Sequence, residues 1–151
     1  MRIKAVGTVS AVNIDSVLRN GRDNNIKSAD AVPALENGSK ARTSEAGRAE
    51  TVTVPLAPLR KEDAPSKELQ EAWEYYYTPR CHDPTAPVFA TARSLNQIVT
   101  YDAFNMAEVF LTQPLQIVAR SVAGSKWMSD DLYKRVAGIR KNFHVVEGAK
   151  S

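Results

Sequence analysis

Cysteine is nearly absent. Cys81 is the one thiol among 151 residues. A single cysteine excludes a disulfide framework and a cysteine-based zinc cluster, and it suits a reducing, cytoplasmic compartment. Long apolar runs are absent too. No stretch approaches the roughly 18 consecutive apolar residues that mark a spanning helix. The apolar run after Arg2 is interrupted by Gly7, Thr8 and Ser10, so it is too short and too polar for a secretory signal. There is no run of one charge sign either. The net charge is +3, but Arg19, Arg22, Lys40, Arg42, Arg48, Arg60 and Lys61 are scattered among acidic residues. That distribution gives no nucleic-acid tail and no membrane-binding patch. Finally, the chain contains no G-x-S-x-G elbow, no G-x-x-x-x-G-K-[ST] and no G-x-G-x-x-G. "VAGSK" at 122–126 has one glycine and does not make a phosphate loop. No motif assigns a catalytic, cofactor-binding or metal-binding residue, and no cofactor is expected.

What is present reads as one domain of ordinary soluble composition, with 43% apolar and 25% charged residues. "IKAVGTVSAV" at 3–12 is rich in β-branched and small residues, and the absence of alternation predicts a buried parallel strand. Residues 13–65 are polar and turn-rich and carry no core of their own. Ser28 is a candidate cap for a helix that Asn37-Gly38 would end, and "RTSEAGRAE" predicts a second short helix capped by Thr43 or Ser44.

Ser66 is a clearer N-cap. Leu69, Ala72, Trp73 and Tyr76 follow it at helical spacing, and Pro79 ends the helix. The turn "TPRCHDPTAP" comes next. Residues 94–111 predict a helical stretch broken near Thr100 and restarted at Asp102. In the last third, "PLQIVAR" predicts a strand opened by Pro114. "SDDLYKRV" predicts a helix capped by Ser129, with Asp130 and Asp131 in its first turn and Leu132 and Val136 facing inward. "NFHVVEG" predicts another strand. The order strand, helix, strand is a parallel βαβ unit.

Chemistry has few candidates in such a chain. His82 sits in the proline-rich turn beside Arg80 and Cys81, where it reads either as an exposed loop histidine or as a lid residue over a pocket. Cys81 would need a positioned base, which adjacency to His82 does not supply. His144 reads as a half-buried strand histidine. Trp73 with Tyr75, Tyr76 and Tyr77 reads as helix packing before it reads as a binding platform.

"PLQIVARSVAGSKWMSDDLYKRV" followed by "NFHVVEGAKS" resembles the C-terminal part of an α/β-hydrolase, and more narrowly is similar to the dienelactone-hydrolase-like group. "EAWEYYYTPRCHDP" resembles that group's cap region. "RIKAVGTVSAV" resembles the strand that follows the nucleophile helix. The resemblance implies an α/β fold: an incomplete α/β-hydrolase with a small, mostly parallel sheet and a helical cap insertion. Within it, 1–12 would be a core strand, 13–95 the cap-like insertion and 96–151 the C-terminal βαβ part. It further implies a parent enzyme acting on a small-molecule ester or thioester through an acyl-enzyme, and a cap or substrate-pocket role for Tyr77, Arg80 and His82.

The departures from the family are as informative. The elbow is missing. The family's terminal turn, Gly-Ala-x-His, reads Gly148, Ala149, Lys150, Ser151 here. Arg120 stands where the family has glycine, and the loop 121–129 has no carboxylate. The resemblance therefore assigns no nucleophile, base or acid, and it predicts an inactive fragment with an exposed sheet edge open to self-association. The alternatives are a non-catalytic subunit docking through that edge, or a small binding module around Arg80, His82 and the tyrosines.

Overall fold

The computed structural model describes residues 3–21, 25, 31–138 and 140–148. In chain order the elements are β1 (Val6–Val9), α1 (Ile14–Asn20), α2 (Ala31–Ala46), β2 (Thr53–Pro55), α3 (Lys67–Tyr77), β3 (Phe89–Thr91), α4 (Leu95–Thr100), α5 (Ala107–Phe110), β4 (Leu115–Arg120), α6 (Lys126–Arg135) and β5 (Lys141–Val146). Short 3-10 turns lie at Lys61–Asp63 and Ala92–Ser94. The chain divides into two compact units, one built from 1–30 with 100–151 and the other from 31–99.

The first unit is an α/β layer. Its sheet has three strands in the order β1-β4-β5, and both pairings are parallel. Leu115, Ile117 and Ala119 alternate inward along β4, while Gln116 is exposed. The inward face packs on Met128 and Leu132 of α6, on Val136 and on Phe104. The expected βαβ unit is thus β4-α6-β5. Its strands lie within one residue of their predicted positions, because β-branched period-2 segments joined by a helix have few other ways to cover their apolar face. Lys141 fastens the crossover: its Nζ donates to the carbonyls of Tyr133 and Val136, both at 2.8 Å, at the C-terminal end of α6.

Several expectations are corrected in this unit. The α6 helix starts at Lys126 rather than after Ser129, which lies fully buried inside it with its Oγ donating to the carbonyl of Ala11 at 3.3 Å. Asp130 and Asp131 are consequently mid-helix charges, paired four residues away with Lys126 and Arg135. The first strand is not buried. Its sides alternate between half-buried and exposed, and Val9 is 80% exposed. Among the described residues β1 has one strand neighbour, so its small, β-branched composition marks a strand without marking burial. His144 is exposed, because its side of β5 is opposite the one facing α6.

The second unit is mainly helical, with one antiparallel pair, β2-β3, of three residues per strand. Its buried apolar side chains are Ala34, Ala41, Ala57, Ala64, Ala92 and Val99, a core made almost wholly of alanine. The helix predicted to stop at Asn37-Gly38 does not stop. It runs from Ala31 through Ala46 and absorbs the segment read as a second helix. Gly38 serves close approach here rather than termination. It is buried, and a Cβ at that position would lie 1.8 Å from the Asn96 Oδ1. Pro33 is tolerated because it falls in the first turn of α2, where its missing N–H has no intrahelical partner to lose. Ser28, expected to cap this helix, lies outside the described residues.

The α3 helix begins as expected, with Ser66 accepting from the Leu69 N–H at 3.3 Å. Its apolar face is only half-buried at Leu69, Ala72 and Trp73, and Tyr76 is 43% exposed. Helix α4 ends at Thr100 as predicted. The restart comes at Ala107 rather than Asp102, because Asp102 is engaged elsewhere.

Candidate functional site at the carboxyl edge of the sheet

Ligands of parallel α/β sheets bind outside the carboxyl ends of the strands, where loops leave the sheet. In this chain that edge consists of Ser10 after β1, the loop 121–125 after β4, and Glu147 with Gly148 after β5. The backbone is specialised there. Ser10 has φ +50° and its N–H donates to the Val118 carbonyl at 2.8 Å. A serine in the left-handed region is uncommon and is held by its surroundings. Gly148 has φ +62°, and the Ser121 N–H donates to the Val146 carbonyl at 3.0 Å. The loop contributes the hydroxyls of Ser121 and Ser125 but no carboxylate. Asp130, one turn into α6, is held by both oxygens to the Lys126 Nζ at 3.0 and 2.9 Å. Beside the exposed Glu147 carboxylate, the edge therefore offers hydroxyls and backbone amides. It can bind and orient a polar group, but no acid–base pair is assembled there among the described residues.

Behind Ser10 lies a polar network that motif reading missed. Asn13 is 1% exposed. Its Nδ2 donates to Asp102 Oδ1 at 2.8 Å, and its Oδ1 accepts from the Ala103 N–H at 2.9 Å. Asp102 Oδ1 also accepts from the Phe104 N–H at 2.9 Å, while its Oδ2 faces Arg135 at 3.4 Å and Arg19 at 3.8 Å. Burial pushes the Asp102 carboxyl up, but the Phe104 N–H, the Asn13 amide and the two arginines outweigh it and hold the group below its ordinary range. Asp15 is 0% exposed and pairs with Arg19 one turn along α1. Burial raises its carboxyl above the ordinary range despite Arg19, and Asp102 nearby adds to the rise. No spacing signal announces the network, since Asn13 and Asp102 are 89 positions apart.

The residues proposed from the sequence lie in the second unit. Tyr77 ends α3 and is half-buried, whereas Arg80, Cys81 and His82 are exposed in the turn that follows. The turn is built locally. The Cys81 and His82 N–H groups both donate to the Thr78 carbonyl, and the His82 Nδ1 lies 3.2 Å from the Tyr76 carbonyl. The Arg80 guanidinium stands 5.7 Å from the centre of the Tyr75 ring, which meets Tyr76 edge-on at 5.0 Å. Cys81 beside it pushes the Tyr75 hydroxyl above its ordinary range. Arg80 and His82 thus share one exposed turn, with Tyr77 at its helical end.

A cavity of about 640 Å³ also lies in this unit, between the last turns of α2 and the segment from β3 into α4. Arg42, Glu45, Thr91, Arg93, Ser94 and Gln97 line it. Arg42 and Glu45 both fall in the segment read as a second short helix, but no local signal in the sequence brings Thr91, Arg93 and Ser94 against them. Among the described residues, no group of three or more His, Cys, Asp or Glu side chains is placed to hold a metal ion. No helix among them is long and apolar enough to cross a membrane.

No family model matches the chain. It is 64% identical over 148 residues to the uncharacterized protein YcjY of Escherichia coli (strain K12), an alignment that takes in 98% of this chain and 48% of that one. Among solved structures it is similar to hypothetical protein PA2218 from Pseudomonas aeruginosa, with a TM-score of 0.81 and 21% identity over 97% of this chain and 46% of that one. It is also similar to the α/β hydrolase GrgF from Penicillium sp. sh18, with a TM-score of 0.62 and 15% identity over 97% of this chain and 47% of the other. The chain spans about half the length of each of these proteins, and the fold in that half, with its parallel β1-β4-β5 sheet, is α/β-hydrolase-like.

Proposed function

We propose that this chain is part of a dienelactone-hydrolase-like enzyme, acting on a small-molecule ester or thioester, and that by itself it has no turnover. The observation that carries the reading is the combination at the sheet's carboxyl edge. The parallel β1-β4-β5 arrangement has the hydrolase-like fold, yet the loop after β4 brings only hydroxyls and amides. Acyl transfer needs a nucleophile, a base to deprotonate it and donors for the oxyanion. In the parent, the nucleophile elbow would come from chain preceding β1, and Tyr77, Arg80 and His82 would belong to the cap that borders the substrate.

The test is hydrolysis of p-nitrophenyl acetate and an acyl thioester by the purified chain. Turnover indistinguishable from a heat-denatured sample is expected. Loss of a triad leaves at most roughly 10³–10⁴-fold over water, and that residue depends on an intact oxyanion hole and binding site. Turnover well above the denatured control, abolished by Cys81→Ser or His82→Ala, would place a different catalytic constellation in the turn after α3 and sink the reading.

A second property follows from the edge strand. Val9 is 80% exposed, and β1 has a free edge among the described residues. Self-association of the chain through that edge should appear as concentration-dependent mass in light scattering, and Val9→Lys should suppress it.

A further inference from the structure

The sheet of the first unit has two outer strands, and they differ. On β1, the N–H groups of Val6 and Ser10 donate to the carbonyls of Pro114 and Val118 at 2.9 and 2.8 Å. Backbone groups of alternate residues point to opposite sides of a strand. Those of Gly7 and Val9 therefore point away from β4, to an edge with no neighbour among the described residues. Exposed edges are commonly guarded by a charge, a proline or a bulge. Val6–Val9 has no charged residue and no proline, and its register with β4 runs without a bulge. Exposed apolar side chains gather around this strand, at Ile3, Val9, Val12 and Ile14. A Cβ added at Gly7 would meet no atom within 4 Å, so the space beside it is open too. On β5, by contrast, the apolar side chains Phe143, Val145 and Val146 are all half-buried.

We propose that the open edge of β1 pairs with a parallel strand of a separate polypeptide, one that supplies the half of the hydrolase-like fold this chain does not contain. Nearly all of this chain aligns with only 48% of YcjY and superposes on 46% of the PA2218 chain, so each of those proteins has about as much polypeptide again. The occupant is a polypeptide equivalent to that unmatched part of YcjY. Parallel pairing continues a sheet whose two pairings are both parallel, and sheets of that kind are covered on both faces. The backbone groups of Gly7 and Val9 supply the hydrogen bonds, and Val9 with its exposed neighbours supplies apolar contact. Self-association through the same edge is then what the chain does when its complement is absent. The inference rests on the reading that this chain is part of a hydrolase-like enzyme, and its test reads assembly separately from turnover.

The test joins the unmatched part of YcjY to the intact chain through a protease-cleavable linker, in the order the two parts have in YcjY, and then cuts the linker. The two polypeptides are expected to stay together as a 1:1 complex by light scattering. Hydrogen exchange at the Gly7 and Val9 amides should slow about tenfold or more relative to this chain alone. The Phe143 and Val145 amides, which by the same alternation point to the outer edge of β5, should change by less than about twofold. On dilution of the cut complex, Val9→Lys should weaken it about tenfold or more, and Val9→Thr, which keeps the β-branch, by only a few-fold. Leu59→Lys places the same charge at an exposed apolar position of the second unit and should leave the affinity within about twofold. Separation of the polypeptides on cutting, a joined chain that gives no monodisperse product, or unslowed exchange at Gly7 and Val9 overturns the proposal. A complex of two copies of this chain that excludes the second polypeptide overturns it as well. Equal losses in Val9→Lys and Leu59→Lys overturn the placement at β1. Hydrolysis of p-nitrophenyl acetate by the cut complex is read separately: a complex without turnover supports the pairing and counts against the ester-hydrolase reading.

Discussion

Asn13 Nδ2 donates to Asp102 Oδ1 at 2.8 Å, joining the residue just before α1 to the segment that leads into α5. The same amide accepts from the Ala103 N–H, so one buried side chain satisfies a carboxylate and a backbone donor together. Asn13→Ala should lower unfolding stability by about 1–3 kcal/mol, because it strands the Ala103 N–H and removes one donor from Asp102. Asn13→Asp should cost more at neutral pH by setting a second carboxylate against Asp102. Urea midpoints of the two variants check both statements.

The two carboxyls of this network respond oppositely to acid. Asp102 is depressed, so its contribution is present above the ordinary aspartate range and is lost as pH falls through its folded pKa. Asp15 is raised, so ionising it costs stability at neutral pH, and protonation removes that cost as pH falls through its folded pKa. Urea midpoints measured from pH 7 downward should therefore fall less steeply in Asp102→Asn than in the unaltered chain. Asp15→Asn should fall more steeply. The reverse order would contradict the assignment of the two shifts.

Gly38 and Asn96 form a close contact that can be tested as a pair. Gly38→Ala should be destabilising, although alanine in a helix interior is favoured over glycine by about 1 kcal/mol. The added Cβ would meet Asn96 Oδ1 at 1.8 Å and the Asn96 backbone nitrogen at 3.1 Å. Overpacking of this kind costs roughly 1–3 kcal/mol. In an Asn96→Ala background the same substitution should cost less or become stabilising. A thermal-melt double-mutant cycle giving simple additivity would show that the contact has no energetic weight.

Lys141 places a strand side chain at the end of a helix. Its ammonium donates to two carbonyls of the α6 terminus and lies 4.7 Å from the Tyr133 ring centre. Lys141→Met keeps the stem and removes the charge. It should lower stability by about 1.5–3 kcal/mol, the range for hydrogen bonds to a charged group. Hydrogen exchange should quicken first at the end of α6, and uniform quickening throughout the first unit would argue against a capping role.

Parts of this fold were legible without coordinates for identifiable reasons. The βαβ unit could be read because Leu115, Ile117 and Ala119 alternate, and because Leu132 and Val136 sit one helical turn apart. Ser66 could be read as a cap because its hydroxyl acts on a backbone N–H three residues away. Local signals failed where a distant partner changed a residue's task. Gly38 looked like a helix terminator, but its missing side chain makes room for Asn96. Ser129 looked like a cap, but its hydroxyl reaches Ala11 from inside α6. The composition of β1 named a strand and overstated its burial, since β-branched residues suit an edge as well as a centre.

By itself, the sequence determined which segments are helix or strand in the last third, that Ser66 and Pro79 bound α3, and that no catalytic motif occurs in the chain. These properties act over a few residues or follow from residue identity. Tertiary structure alone decided that Asn13 meets Asp102, that Glu45 pairs with Arg93, and that Gly38 lies against Asn96. Those relationships join positions tens of residues apart. They depend on where the backbone brings polar groups out of water, and no local pattern encodes that.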